Sequence, residues 1–121
     1  MNIESPKPCV LIAEDEFMVA TLLEDLLSEA GYRVFVAATL EAATTLARTE
    51  AIEVALLDVH LGRDDSFPLA DTLRERGVPF LFASGHGRDA LPERFADSPV
   101  LQKPYNMQAL ERSLQGLLPP R

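Results

Sequence analysis

The sequence has a single cysteine, Cys9, so no internal disulfide can form, and its apolar neighbours Val10 and Leu11 mark it as a small core residue rather than a redox centre. No run of Lys or Arg forms a phosphate-tracking stripe, and the formal net charge is −8, so direct nucleic-acid binding is not expected. Between Met1 and Pro8 no basic segment leads into an apolar one. No apolar run approaches the roughly 18 residues of a membrane span, and a cytoplasmic setting without membrane contact is expected. Low-complexity tracts and internal repeats are missing as well, which excludes solenoids and disordered linkers. What remains is ordinary globular composition, 47% hydrophobic and 25% charged, in a chain of 121 residues. That length holds one core, so residues 1–121 are expected to be one domain. Met1 and the closing Pro119-Pro120-Arg121 suit a complete short chain.

Five short apolar runs recur: Cys9 to Ala13, Tyr32 to Ala37, Val54 to Leu57, Pro79 to Ala83, and Val100 to Leu101. Each is too short for a helix, and several are rich in Val, Ile and Phe, which suit buried strands. Helical spacing fills the gaps. Val19, Leu22, Leu23, Leu26 and Ala30 form an apolar stripe that Gly31 can cap. Leu40, Ala43, Leu46 and Ala47 follow Thr39 as N-cap, and Leu69, Ala70 and Leu73 follow Ser66 with Pro68 in the first turn and Gly77 as the stop. Met107, Leu110, Leu114 and Leu117 follow Asn106, and Pro119-Pro120 prevents continuation. From Gly85 to Ser98, glycines and Pro92 break the pattern, so a fourth of five helices there is expected to be short or mobile. Strands alternating with helices give an α/β fold with a parallel sheet covered on both faces.

In such sheets the chemistry lies beyond the carboxyl ends of the strands. Glu14 and Asp15 follow the first run, Asp58 the third, Ser84 the fourth, and Lys103-Pro104 the fifth. Taken singly, each has an ordinary reading: a helix cap or loop charge, a Ser-Gly turn, a surface lysine. Their consistent placement on one rim argues for a site. Three carboxylates brought together repel one another, and a hard divalent cation with oxygen ligands relieves this, magnesium being the natural choice. A carboxylate, a cation, a hydroxyl and an ammonium are what phosphoryl transfer onto a protein carboxylate requires.

Glu14-Asp15, Leu57-Asp58, Ala83-Ser84-Gly85 and Lys103-Pro104 together resemble the signature of the response-regulator receiver family, across essentially the whole chain. The resemblance implies a flavodoxin-like, doubly wound five-stranded parallel sheet of order 2-1-3-4-5 with five helices. It implies Asp58 as phosphoacceptor, Asp15 and Asp58 as direct magnesium ligands, Glu14 as a ligand through water, and the backbone carbonyl of His60 as a further ligand. Lys103 becomes the ion-pair partner of Asp58, Ser84 the hydroxyl that moves onto the phosphoryl group, and Lys103-Pro104 a cis peptide. His60 and His86, two residues past Asp58 and Ser84, flank the site and tune how readily water reaches it. The implied donor is a sensor histidine kinase or a histidine phosphotransfer protein. Output then runs through an unidentified partner or onward phosphate transfer, so the chain is a signalling domain that catalyses its own phosphorylation and slow dephosphorylation rather than an enzyme in the usual sense. Phe17 and Met18, with Tyr105, are a candidate docking rim for the donor.

Two departures stand out. The place three residues before the lysine, often Tyr or Phe in this family, is Val100, and the loop after Asp58, Leu61-Gly62-Arg63-Asp64-Asp65-Ser66, lacks the common Met-Pro pair. The run from Pro79 to Gly87 is similar to a mostly single-domain subgroup in which the fourth loop carries the response. Three rivals are weaker. An aspartate-nucleophile phosphohydrolase of the haloacid dehalogenase type needs an acid two residues beyond its nucleophile, where this chain has His60. A flavodoxin-like electron carrier would not place carboxylates where the flavin phosphate binds. A phosphorylation-independent pseudo-receiver leaves the intact acids and Lys103 without a purpose.

Overall fold

A computed structural model describes residues 8–118. The readings that concern the N-terminal leader and the stop at Pro119-Pro120 lie outside those residues. Strand β1 (Cys9–Ala13) is followed by α1 (Phe17–Glu29), β2 (Arg33–Ala37), α2 (Leu40–Thr49) and β3 (Val54–Asp58). Next come two short strands, β4 (His60–Leu61) and β5 (Asp64–Asp65), and then α3 (Phe67–Glu75), β6 (Phe80–Ser84), β7 (Val100–Gln102) and α4 (Met107–Leu117). The five longer strands form one parallel sheet in the order β2-β1-β3-β6-β7, the expected 2-1-3-4-5 when those five alone are counted.

Alternation along the strands divides the core into two layers. Cys9, Leu11 and Ala13 face Ala43 and Ala47 of α2 and Leu69, Ala70 and Leu73 of α3, while Val10 and Ile12 face Leu23 and Leu27 of α1 and Leu110 and Leu114 of α4. All five residues of β1 are buried, as a central strand covered on both faces requires. Each such leucine contributes about 1.5–3 kcal/mol by leaving water. Caps fix the helix starts. The Thr39 side chain accepts from the Ala42 N–H at 3.1 Å, and the Asn106 side chain accepts from the Ala109 N–H at 2.8 Å. Gly31 takes φ +103 just past the end of α1, a backbone that favours glycine.

Two expectations need correction. Among the described residues there are four α-helices, not five: between β6 and β7 stand two 3-10 turns, Gly87–Ala90 and Glu93–Phe95. Gly87, at φ +57, and Pro92 leave too few residues between them for a helical nucleus. The segment is held to α3 by side chains instead. Phe95 is fully buried, stacks on Phe67 at 5.8 Å, and lies beneath the guanidinium groups of Arg74 and Arg94, 4.5 and 4.8 Å from its ring centre. Arg94 also makes two hydrogen bonds to Asp71, and Arg88 donates to the carbonyls of Ala96 and Ser98.

The second correction is the face of α1. Ala20, Leu23 and Leu27 are the buried residues and Leu22 is 58% exposed, because a neighbour of Leu23 points about 100° round the helix. Phe17 and Met18 are 80% and 83% exposed, so they do not cover the edge of the core. Ser66 is the N-cap residue of α3 and Pro68 lies in its first turn, as expected, although the Ser66 side chain makes no cap bond. Asp65 Oδ1 instead accepts from the Phe67 N–H at 3.1 Å, and the buried Ser66 hydroxyl has no partner among the described residues. In the loop after Asp58, which lacks the common Met-Pro pair, β4 and β5 pair antiparallel, His60 with Asp65 and Leu61 with Asp64.

Candidate functional site

Parallel register brings four strand ends to one rim. Ala13 pairs with Leu57, Asp58 with Ala83, and Ser84 with Gln102, so the next residues of β1 and β7, Glu14 and Lys103, arrive beside Asp58 and Ser84. The Lys103 N–H donates to the Ser84 carbonyl at 2.9 Å, which fixes the lysine at the sheet edge. Its Nζ reaches Asp58 Oδ2 at 3.0 Å and Glu14 Oε1 at 3.8 Å. One carboxylate oxygen from each of Glu14, Asp15 and Asp58 lies within 4.8 Å of the others. The Lys103-Pro104 peptide is cis.

The electrostatics follow from this crowding. Glu14 is 4% exposed, and its carboxyl is pushed up to about 7, by burial first and then by the Asp58 charge, against the Glu16 N–H and the Lys103 ammonium. Desolvation works against the Lys103 ammonium, but its hydrogen bond to the Asp58 carboxylate and the charges of Asp58, Glu14 and Glu16 outweigh it and raise its pKa. Tyr105, just past the cis bond, has its hydroxyl pushed up to about 12 by burial and by the charges of Glu14 and Asp58. Three acids thus crowd together with one base beside two of them, all of the ligand atoms they offer are oxygens, and a divalent cation fits the excess negative charge.

The remaining predicted residues take their places around this centre. Ser84 is buried and its hydroxyl accepts from the His86 N–H at 3.0 Å. His60 and His86 both expose their side chains at the rim. Val100 is half-buried against the layer that contains Phe82 and Phe95. Two features were missed. One is the Gly62 N–H, which donates to Asp15 Oδ2 at 2.9 Å; a backbone amide leaves no mark in a sequence. The other is a groove of about 430 Å³ beside the acids, lined by Val19, Leu22, Leu26, Pro104, Tyr105 and Met107. The exposed positions of α1 pointed to it only once the buried face was known.

Comparisons with known proteins agree with this geometry. Residues 10–115 match the family model of the response regulator receiver domain. A probable transcriptional regulator, ycf27 of Cyanophora paradoxa, is 32% identical across 96% of this chain and 50% of its own length. The two-component response regulator PprB of Pseudomonas aeruginosa is 31% identical across 89% of this chain and 42% of its own. The chain spans about half the length of the curated relatives it matches. Among solved structures, SdrG from Sphingomonas melonis Fr1 superposes with a TM-score of 0.78 at 37% identity, covering 94% of this chain and 98% of that one.

Proposed function

We propose, for a chain that belongs to the response regulator receiver domain family and so forms the receiving part of a two-component system, that Asp58 is its phosphoacceptor. One observation carries this reading: the Asp58 carboxylate is held by Lys103 at 3.0 Å among the oxygens of Glu14 and Asp15. One oxygen of Asp58 attacks the phosphorus of a phosphohistidine on a sensor kinase or phosphotransfer protein. The P–N bond breaks and the imidazole leaves with the electron pair. Lys103 neutralises charge on the transferred group, and the Ser84 hydroxyl gives up the His86 amide to donate to a phosphoryl oxygen. Glu14, Asp15 and Asp58, with the His60 carbonyl, are the residues that would hold magnesium, which supplies charge neutralisation for the incoming phosphoryl group.

Exposed His60 and His86 flank the mouth of the site and set the access of water to the acyl phosphate. The exposed Phe17, Met18 and Leu22 beside the α1 groove form the docking surface for the donor. The run from Pro79 to Gly87 supports membership of the mostly single-domain subgroup that it resembles. Output then goes through a protein partner or onward phosphate transfer in the cytoplasm, and the charge of −8 supports a segment that does not itself contact nucleic acid. A phosphohydrolase is disfavoured because the position for its second acid is His60, exposed on a short strand. Acetyl phosphate with magnesium is expected to add one phosphoryl mass to the parent and none to Asp58→Asn. Equal labelling of both would remove Asp58 from this role, and no labelling of either would favour the pseudo-receiver.

A further inference from the structure

We infer that the backbone amide of Gly62 is a positioning group for the metal site: it holds one oxygen of Asp15 and ties the β4–β5 hairpin to the acidic cluster. The inference rests on the reading of Glu14, Asp15 and Asp58 as a magnesium site. Each acid has a different restraint. Glu14 is buried and accepts from the Glu16 N–H of its own loop, and Asp58 is gripped by Lys103. Asp15 is exposed, and one hydrogen bond reaches its carboxylate among the described residues, from Gly62 at 2.9 Å. That bond spans 47 positions of sequence and crosses from the β1–α1 loop to the tip of the hairpin.

Gly62 shows why glycine stands there. Its φ is +62, and a Cβ built on it would meet nothing within 4 Å. Space is therefore not what excludes a side chain. Backbone conformation is: the Gly62 N–H meets Asp15 from a residue in the left-handed region, which L residues with a branched Cβ rarely adopt. With Oδ2 committed to the amide, Oδ1 is left for a cation, already oriented before the cation arrives. Outer partners of this kind fix the ligand rather than touch the metal. By linkage, magnesium binding must also order the hairpin, which carries His60.

The open space makes a clean test. Gly62→Asn keeps the N–H and tolerates the left-handed region, whereas Gly62→Val keeps the N–H but resists that region. Calorimetric titration of magnesium is expected to give an affinity within about twofold of the parent for Gly62→Asn and roughly tenfold weaker for Gly62→Val. Hydrogen exchange of the Gly62 amide in metal-free protein supplies a readout that looser folding elsewhere does not move. It should be protected in the parent and in Gly62→Asn, and exposed in Asp15→Ala. Parent-like affinity in Gly62→Val, or free exchange of this amide in the parent, overturns the inference. A parent that takes up no magnesium overturns the metal reading instead, while the exchange result still decides whether Gly62 holds Asp15.

Discussion

Asp58 and Lys103 stand 45 positions apart in the chain and meet at 3.0 Å, with Glu14 only 3.8 Å from the same ammonium. One cation therefore serves two acids. Replacing Lys103 with Met is expected to slow phosphorylation by acetyl phosphate by about 10²-fold, the usual cost of losing one preorganised donor at a site of developing charge. Stopped-flow or mass-resolved time courses at saturating magnesium would read this. A rate within twofold of the parent would leave the ion pair a purely structural contact.

The buried acid gives a pH dependence with a definite sign. Glu14 titrates near 4.5 when unfolded and about 7 when folded, so the folded protein holds that proton more tightly. The resulting stabilisation is complete below about 4.5 and is lost as pH rises through 7. In metal-free buffer the parent should lose on the order of 1–3 kcal/mol of stability between pH 5 and pH 8 from this group. Glu14→Gln should flatten that fall in urea unfolding, and magnesium should offset it at pH 8. An unchanged fall in Glu14→Gln would place the cost elsewhere.

Charge removal tests the cation directly. The double variant Glu14→Gln with Asp15→Asn should fold, because neither residue lies in an apolar layer, yet show no saturable magnesium uptake. Undiminished affinity would make these acids ordinary loop charges.

How much of this was legible in the sequence depends on periodicity. The five long strands and four helices showed themselves because an apolar face repeats along each, and the positions of Glu14, Asp15, Asp58, Ser84 and Lys103 because they lie within two residues of the ends of apolar runs. Strands β4 and β5 have two residues each, too few for any repeat to register. The α1 stripe misled because Leu22 and Leu26 are as apolar as Leu23 and Leu27, and composition alone cannot say which neighbour turns inward. Gly85, Gly87 and Pro92 announced a broken helix correctly, but its anchors are contacts between distant residues such as Phe67 and Phe95.

The exposed end of α1 invites a kinetic separation. Met18→Asp is expected to slow transfer from the cognate histidine donor by tenfold or more, in the range of an interface anchor lost, with acetyl phosphate labelling unchanged. Equal slowing of both reactions would assign Met18 to the chemistry rather than to docking.

Phe95 should behave as a core residue although it lies in an irregular segment. Fully buried between Phe67, Phe80 and Phe82, it is expected to cost about 3–5 kcal/mol when cut to Ala, measured by urea unfolding. A loss below about 1 kcal/mol would mean that residues 87–98 are not seated on α3 as described.

A helix between β6 and β7 would answer a push at its base as a rod, since every turn is bonded to the next. Two 3-10 turns pinned at Arg88, Arg94 and Phe95 have no such shared ladder. Their fastenings are discrete: Arg88 holds the carbonyls of Ala96 and Ser98, and Phe95 is seated separately on Phe67. The surface after Ser84 is thus a chain of links on separate rivets rather than a single bar, and its contour is set contact by contact.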